Sequence, residues 1–196
     1  MNKTGNTQIN TKDYWDKRYM DRMAYAEETG MARFNRAMFE ILDGDYVLDI
    51  GCGIGTFTEL VKKTYPMCRV MGMDISEKAI QDNRDRNSEI GYVVGAVGTA
   101  TYLPKDRYDV IFSGEVLEHL DDPHALFKEA YVQLKKGGKF IVTTPNEGNI
   151  RSPEHMHEFT REDVKLLFEV NGFRGVQDIK LPNGEDQLVI MQIGYK

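Results

Sequence analysis

The chain has 196 residues, 41% apolar and 29% charged, and its 25 basic and 31 acidic side chains give a net charge of −6. That is the composition of one folded domain, not of a disordered or fibrous chain, and its acidic balance disfavours broad nucleic-acid binding. Two cysteines without a CxxC pair exclude a disulfide scaffold or a cysteine-rich zinc module; no 18-residue apolar run and no apolar stretch in MNKTGNTQIN argue against membrane insertion or a secretory signal, so a cytoplasmic protein is expected.

Residues 1–10 are polar and read as a flexible N-terminus. From Thr11 to Leu42, Trp15, Tyr19, Met23, Phe34, Met38 and Ile41 recur at helical spacing. The period then changes. YVLDI (46–50), CRVMGMD (68–74), GYVVGAV (91–97), YDVIFS (108–113) and KFIVTT (139–144) are short, almost wholly apolar runs. Between them lie helical patterns at Thr56–Tyr65, Ser76–Asn87 and Pro123–Lys136. Buried strands alternating with helices predict a parallel sheet covered on both faces. Thr160 to Asn171 reads as a helix with Thr160 as N-cap, Asp163 completing a capping box and Gly172 as its stop. Two strands around PNGE (182–185) are expected to close the sheet as a hairpin.

VLDIGCGIGT (47–56) delivers a strand into Gly51, Gly53 and Gly55 just before a helix. Glycines there let the backbone turn tightly and approach a ligand, and ligands of open α/β sheets sit at the carboxyl ends of strands. The spacing is GxGxG, with Thr56 where the dinucleotide fingerprint has its third glycine, and no Gly-Lys-Ser/Thr follows to make a phosphate loop. A generic glycine turn is the alternative. Asp74 ends the second strand, where an acid can accept both hydroxyls of a ribose, cap the helix near Ser76, or do both. Together the two features read as a nucleoside-cofactor site.

At this point the sequence resembles the class I S-adenosylmethionine (SAM) dependent methyltransferases. VLDIGCGIGT looks like their first motif and Asp74 like their ribose acid, while YDVIFSGEVLEHLDDP (108–123) and LKKGGKFIVTTPN (134–146) are similar to their fourth- and fifth-strand segments. The resemblance runs over about residues 40–175 and implies a single-domain, Rossmann-like, doubly wound α/β fold with seven strands, the last antiparallel. It implies SAM as cofactor, with Asp49, Gly51, Gly53, Gly55, Asp74, Thr99 and Gly114 beside it. Asp49 resembles the family acid under the methionine amino end, or else it is a structural acid capping the glycine loop. Thr99, in GTATYLP, stands where many members carry an acid for the adenine amino group. Tyr14, Trp15 and Tyr19 resemble a segment with which members cover the site; an aromatic stripe at helical spacing reads otherwise as core packing. The implied division is a helical lid over 11–42 and a methyltransferase domain over 43–196. Arg33 and Arg36 are candidates to meet an anion, or else they face solvent.

SGEVLEHLDDP (113–123) adds a second constellation. If Glu115 opens a helix, Glu115, Glu118 and His119 share one face, and Val116 and Leu120 form another suited to the core. The four histidines lie between 119 and 157, and His155 and His157 follow the fifth strand, at the same sheet edge. Carboxylates with imidazoles suit a hard or borderline divalent cation; a solvated helix start is the plainer reading. EVLEH is similar to the ExxEH metal motif of ubiquinone-pathway O-methyltransferases and of small-RNA 3′-terminal 2′-O-methyltransferases. The latter resemblance adds His155, so Mg²⁺ or Mn²⁺ is expected on Glu115, Glu118, His119 and His155. Without a cation, His119 or His157 is the candidate general base.

The resulting expectation is O-methylation of a small hydroxylated molecule, in an open pocket or one completed by a second copy in a homodimer. An RNA 3′ end is the alternative acceptor, weakened by the acidic charge, the absence of an RNA-binding appendage and Phe159 where that subgroup has Trp. An NAD-dependent oxidoreductase and a non-catalytic SAM-binding module are the competing classes.

Overall fold

In the computed structural model, residues 2–3, 10–22, 31–99, 103–149 and 152–196 are described. The expected mobility of residues 1–10, and Met23 of the helical stripe, fall largely or wholly outside them.

Seven strands form the main sheet: β1 (Tyr46–Ile50), β2 (Arg69–Asp74), β3 (Gly91–Val94), β4 (Tyr108–Gly114), β5 (Leu134–Pro145), β6 (Arg174–Asp178) and β7 (Val189–Tyr195), in the order β3-β2-β1-β4-β5-β7-β6. β1 to β5 pair in parallel, and β7 lies antiparallel between β5 and β6. The helices are α1 (Lys12–Arg22), α2 (Met31–Met38), α3 (Thr56–Thr64), α4 (Glu77–Arg86), α5 (Pro123–Gln133) and α6 (Arg161–Val170). No helix among the described residues is long and apolar enough to cross a membrane.

Period-two alternation assigns each strand residue to a face. Val47, Val70, Val110 and Ile141 point to one side, where Ala37 and Met38 of α2, Phe57 and Val61 of α3 and Ile80 of α4 cover them. Leu48, Ile111, Phe140 and Val142 point to the other, against Leu126, Phe127 and Ala130 of α5 and Val164, Leu167 and Phe168 of α6. Each Val, Leu, Ile, Phe or Met side chain among them, when fully buried, contributes roughly 1.5–3 kcal/mol. The order reverses direction between β1 and β4, which opens a crevice beyond their carboxyl ends.

Three elements differ from expectation. β5 begins at Leu134 rather than Lys139, because Leu134 already pairs with Tyr108 across a register shift, and α5 stops at Gln133. PNGE lies in a 3₁₀ turn over Pro182–Gln187. Glu115 opens no helix: its φ is +56°, and only the short 3₁₀ turn Leu117–His119 follows. The buried apolar residue there is Leu117, with Val116 and Leu120 half-buried. The capping box of α6, Thr160 with Asp163, is present as read, and Gly172 follows at φ +96°.

Candidate functional site: a nucleoside cleft and an acid–imidazole cluster

The crevice is a cleft of about 830 Å³, walled by the ends of β1, β2, β4 and β5, by α1 and α2, and by the segment before α6. Its size lies in the upper part of the ~300–1,000 Å³ range of small-molecule pockets.

The floor is the glycine turn. Gly51 and Cys52 donate their N–H groups to Met73 O at 2.7 and 3.0 Å, tying the turn to the end of β2. Asn83 on α4 donates to Gly53 O at 2.8 Å. Gly51 and Gly53 are both left-handed, at φ +79° and +51°. A Cβ on Gly51 would lie 2.1 Å from Val116 Cγ2. Gly51→Ala is therefore expected to cost about 2–4 kcal/mol, from the left-handed conformation plus overpacking. Urea unfolding checks this, and adding Val116→Ala should recover only the overpacking part. Among the described residues no side chain caps α3, whose first turn lines the cleft through Thr56 and Phe57.

Asp74, 5% exposed, sits beside this floor. Its Oδ2 accepts from Gly53 N at 2.8 Å and its Oδ1 from Ser76 N at 2.9 Å. An ionised carboxylate has about four acceptor positions, so two remain for a diol. Ser76 itself caps α4 by accepting from Ala79 N. Asp49, also on the cleft wall, is buried. Burial, and then the charge of Asp74, pushes its carboxyl well above the usual range, and burial pushes Asp74 up as well. Two desolvated acids beside one cavity favour a cationic ligand. Gly114 lines the cleft at the end of β4, whereas Gly55, the N-cap of α3, faces Tyr92 and Asn83 behind the turn. Thr99 is exposed and stands apart from the lining, its hydroxyl donating to Ala96 O at 2.8 Å.

The second constellation lies at the ends of β4 and β5. Ligand atoms of Glu118, His119 and His155 all fall within 4.8 Å of one another. Glu118 is 1% exposed; Thr144 donates to its Oε2 at 2.9 Å, while buried Oε1 has no hydrogen-bond partner among the described residues and lies 3.8 Å from His119 Nε2. Burial first, then the charge of Glu115, pushes the Glu118 carboxyl well above its usual range. Burial pushes His119 down to about 4, so its ring is neutral at neutral pH. Its Nδ1 lies 3.0 Å from Glu154 O; in the tautomer where Nδ1–H donates there, Nε2 keeps its lone pair for the cluster.

Glu115 is placed apart from this group. Its Oε1 accepts from Thr143 Oγ1 at 3.0 Å and meets Arg33 Nη1 at 2.8 Å. Arg33 thus faces the cleft, while Arg36 pairs with Glu40 away from it. His157 is buried in a ribbon formed with Asn2–Lys3 and does not line the cleft.

Sequence reasoning passed over Glu154. Tyr14 OH donates to its carboxylate, Arg18 Nε pairs with it at 2.9 Å, and Asn10 Nδ2 donates to its carbonyl at 2.8 Å. On the other side of α1, Asp16 Oδ1 accepts from Ser76 Oγ at 2.6 Å and Lys78 N at 3.0 Å. α1 therefore bridges two walls of the cleft, with Trp15 edge-on to His119 at 5.0 Å.

Residues 18–178 match the family described as a methyltransferase domain. The chain belongs to the class I SAM-dependent methyltransferases. The chain is 26% identical to phosphoethanolamine N-methyltransferase 1 of Triticum aestivum, over 91% of this chain and 41% of that protein. It is 29% identical to trans-aconitate 2-methyltransferase of Afipia carboxidovorans, over 66% and 49%. The chain thus spans less than half the length of these curated relatives. Its fold matches the methyltransferase bound to the Trm112 activator of Haloferax volcanii with TM-score 0.78, at 20% identity over 92% of this chain and 96% of that one. It also matches Haemonchus contortus phosphoethanolamine N-methyltransferase 2, in complex with SAM, with TM-score 0.75, at 14% identity over 98% and 60%.

Proposed function

We propose that this chain transfers the methyl group of SAM to a hydroxyl of a small polar molecule. The observation that carries the cofactor reading is the buried Asp74 carboxylate set against the glycine turn, with Asp49 beside it. Carboxylates suit the ribose diol and the positive methionine end of SAM; Asp74 alone would serve an NAD ribose as well, and the second buried acid, Asp49, is what favours a cationic tail. The cleft volume suits a cofactor and a small acceptor together. Two relatives are named for small acceptors, phosphoethanolamine and trans-aconitate. The cleft arginines, Arg18 and Arg33, are each matched by a glutamate, so they offer no basic strip for an RNA backbone.

Methyl transfer from a sulfonium is an in-line displacement, and alignment can supply up to about 7–11 kcal/mol. α1, held to Glu154 on one side and to Ser76 on the other, closes the cleft over the aligned pair. The hydroxyl must lose its proton. The donor set of Glu118, His119 and His155, with the orphan Glu118 Oε1, fits a divalent cation. These residues would hold it, and when bound it supplies Lewis-acid activation of a hydroxyl. His119, kept neutral by burial, is the proton acceptor if no cation is used.

The test is incubation with methyl-labelled SAM and a panel of hydroxylated acids, phenols, phosphorylated alcohols and short RNA, with Mn²⁺ or with EDTA. Label in a small hydroxylated product, lost in EDTA, is the expected result. Label confined to RNA contradicts the acceptor, and SAM binding without any product makes the chain a binding module.

A further inference from the structure

We infer that Glu129, on α5 and outside the cleft, is a positioning residue that sets the base-binding wall of the nucleoside pocket. The inference rests on the SAM reading above. It begins with direction. Asp74 ends β2, with the glycine turn after β1 on one side and the end of β3 on the other. A nucleoside with its ribose on Asp74 and its tail on the glycine turn must place its base toward β3. Gly95, Ala96 and Val97 line the cleft there, and Gly95 N donates to Asp74 O at 2.9 Å.

That wall is the start of a tight turn. Thr99 N and Thr99 Oγ1 both donate to Ala96 O, at 3.1 and 2.8 Å, and Gly98 is left-handed at φ +81°. Thr99 is therefore committed to its own turn. The tie to the body of the protein comes from below. Gly98 N donates to Glu129 Oε2, while Gln133 Nε2 donates to Glu129 Oε1 at 3.2 Å. Glu129 is 9% exposed, and burial pushes its carboxyl up while these two hydrogen bonds hold it down. A buried carboxylate is costly unless hydrogen-bonded, and this one spends an oxygen on the backbone of the wall. Ala125, one turn earlier on α5, packs under Gly98, where an added Cβ would meet its methyl at 3.3 Å. With Thr99 turned away, the wall is held by β2 at Gly95 and by the core at Val97, and its far end, at Gly98, is held from α5.

The test uses Glu129→Gln, which keeps the acceptor oxygen at the same reach, and Glu129→Asp and Glu129→Ala, which withdraw it. Calorimetry is run with S-adenosylhomocysteine and by competition with S-ribosylhomocysteine, which has the ribose and tail but no base. Glu129→Asp and Glu129→Ala are expected to bind S-adenosylhomocysteine about tenfold more weakly, and Glu129→Gln within about threefold of the native chain. S-ribosylhomocysteine should bind all folded forms alike. Equal affinity of the native and Asp forms for S-adenosylhomocysteine would overturn the inference, as would parallel losses for both ligands. Native protein that binds neither ligand would overturn the SAM reading itself. If Glu129→Ala does not fold, the Asp and Gln forms carry the comparison.

Discussion

Asp74→Asn is expected to weaken SAM binding by about a hundredfold or more. The carboxylate already serves Gly53 N and Ser76 N with one oxygen each. An amide has a single acceptor oxygen, so its Nδ2 must face one of those donors, N–H against N–H. The diol in turn loses charge-assisted hydrogen bonds of about 1.5–3 kcal/mol each. Two such losses correspond to roughly two to four decades in affinity. Equilibrium dialysis with labelled SAM, at protein concentrations spanning three decades, measures the change. A loss smaller than threefold, in protein that unfolds at the native urea midpoint, would remove Asp74 from the cofactor site.

Glu118→Gln should have opposite effects on stability and on function. Burial holds the Glu118 carboxyl well above its unfolded value. A group raised in this way contributes stability at pH below its unfolded value, and that contribution is lost as pH rises through the folded value. The apo chain at neutral pH is thus burdened by this side chain, and the isosteric amide, still an acceptor for Thr144 Oγ1, removes the burden. The apo variant is expected to gain about 1–3 kcal/mol at pH 7–8, read as a higher melting temperature by about 2–4 °C per kcal/mol. The gain should vanish below about pH 3, where the native carboxyl is protonated in both states. Adding Mn²⁺ is expected to reverse the comparison, since a cation held by Glu118, His119 and His155 would stabilise the native chain and not the variant. Turnover should fall at least about a hundredfold while SAM binding is retained, and further in the double variant Glu118→Gln with His119→Ala. Scanning fluorimetry over pH, with and without Mn²⁺, provides the measurement. A native melting temperature indifferent to Mn²⁺, with turnover indifferent to EDTA, would leave the cluster as an anchor for α1.

The sheet was legible because burial on both faces leaves a local mark. Val47 and Leu48, or Ile141 and Val142, are adjacent, apolar and oppositely directed, and no other element of that length needs such pairs. The glycine turn was legible for a similar reason, since φ +79° at Gly51, with Val116 against it, admits little but glycine. The acid–imidazole region was legible only in part: Glu118, His119 and His155 come together, but Glu115 does not join them. The Glu115 spacing suggests a helical face, but its backbone is left-handed, held by Thr143 and Arg33, residues distant in the chain. His155 and His157 look equivalent in PEHMHEFT. They part because Met156 N is drawn to Glu118 O at 2.7 Å, which leaves His155 at the cleft and carries His157 into the ribbon. Glu154 was invisible for the same reason as Glu115: Tyr14 lies 140 positions away, and no local pattern joins them.

The most direct measurement is calorimetric titration of the native chain with S-adenosylhomocysteine. The account predicts one-to-one binding in the micromolar range, with a negative heat-capacity change as the apolar lining is covered. Absence of heat at millimolar ligand, on protein with a cooperative unfolding transition, would contradict it.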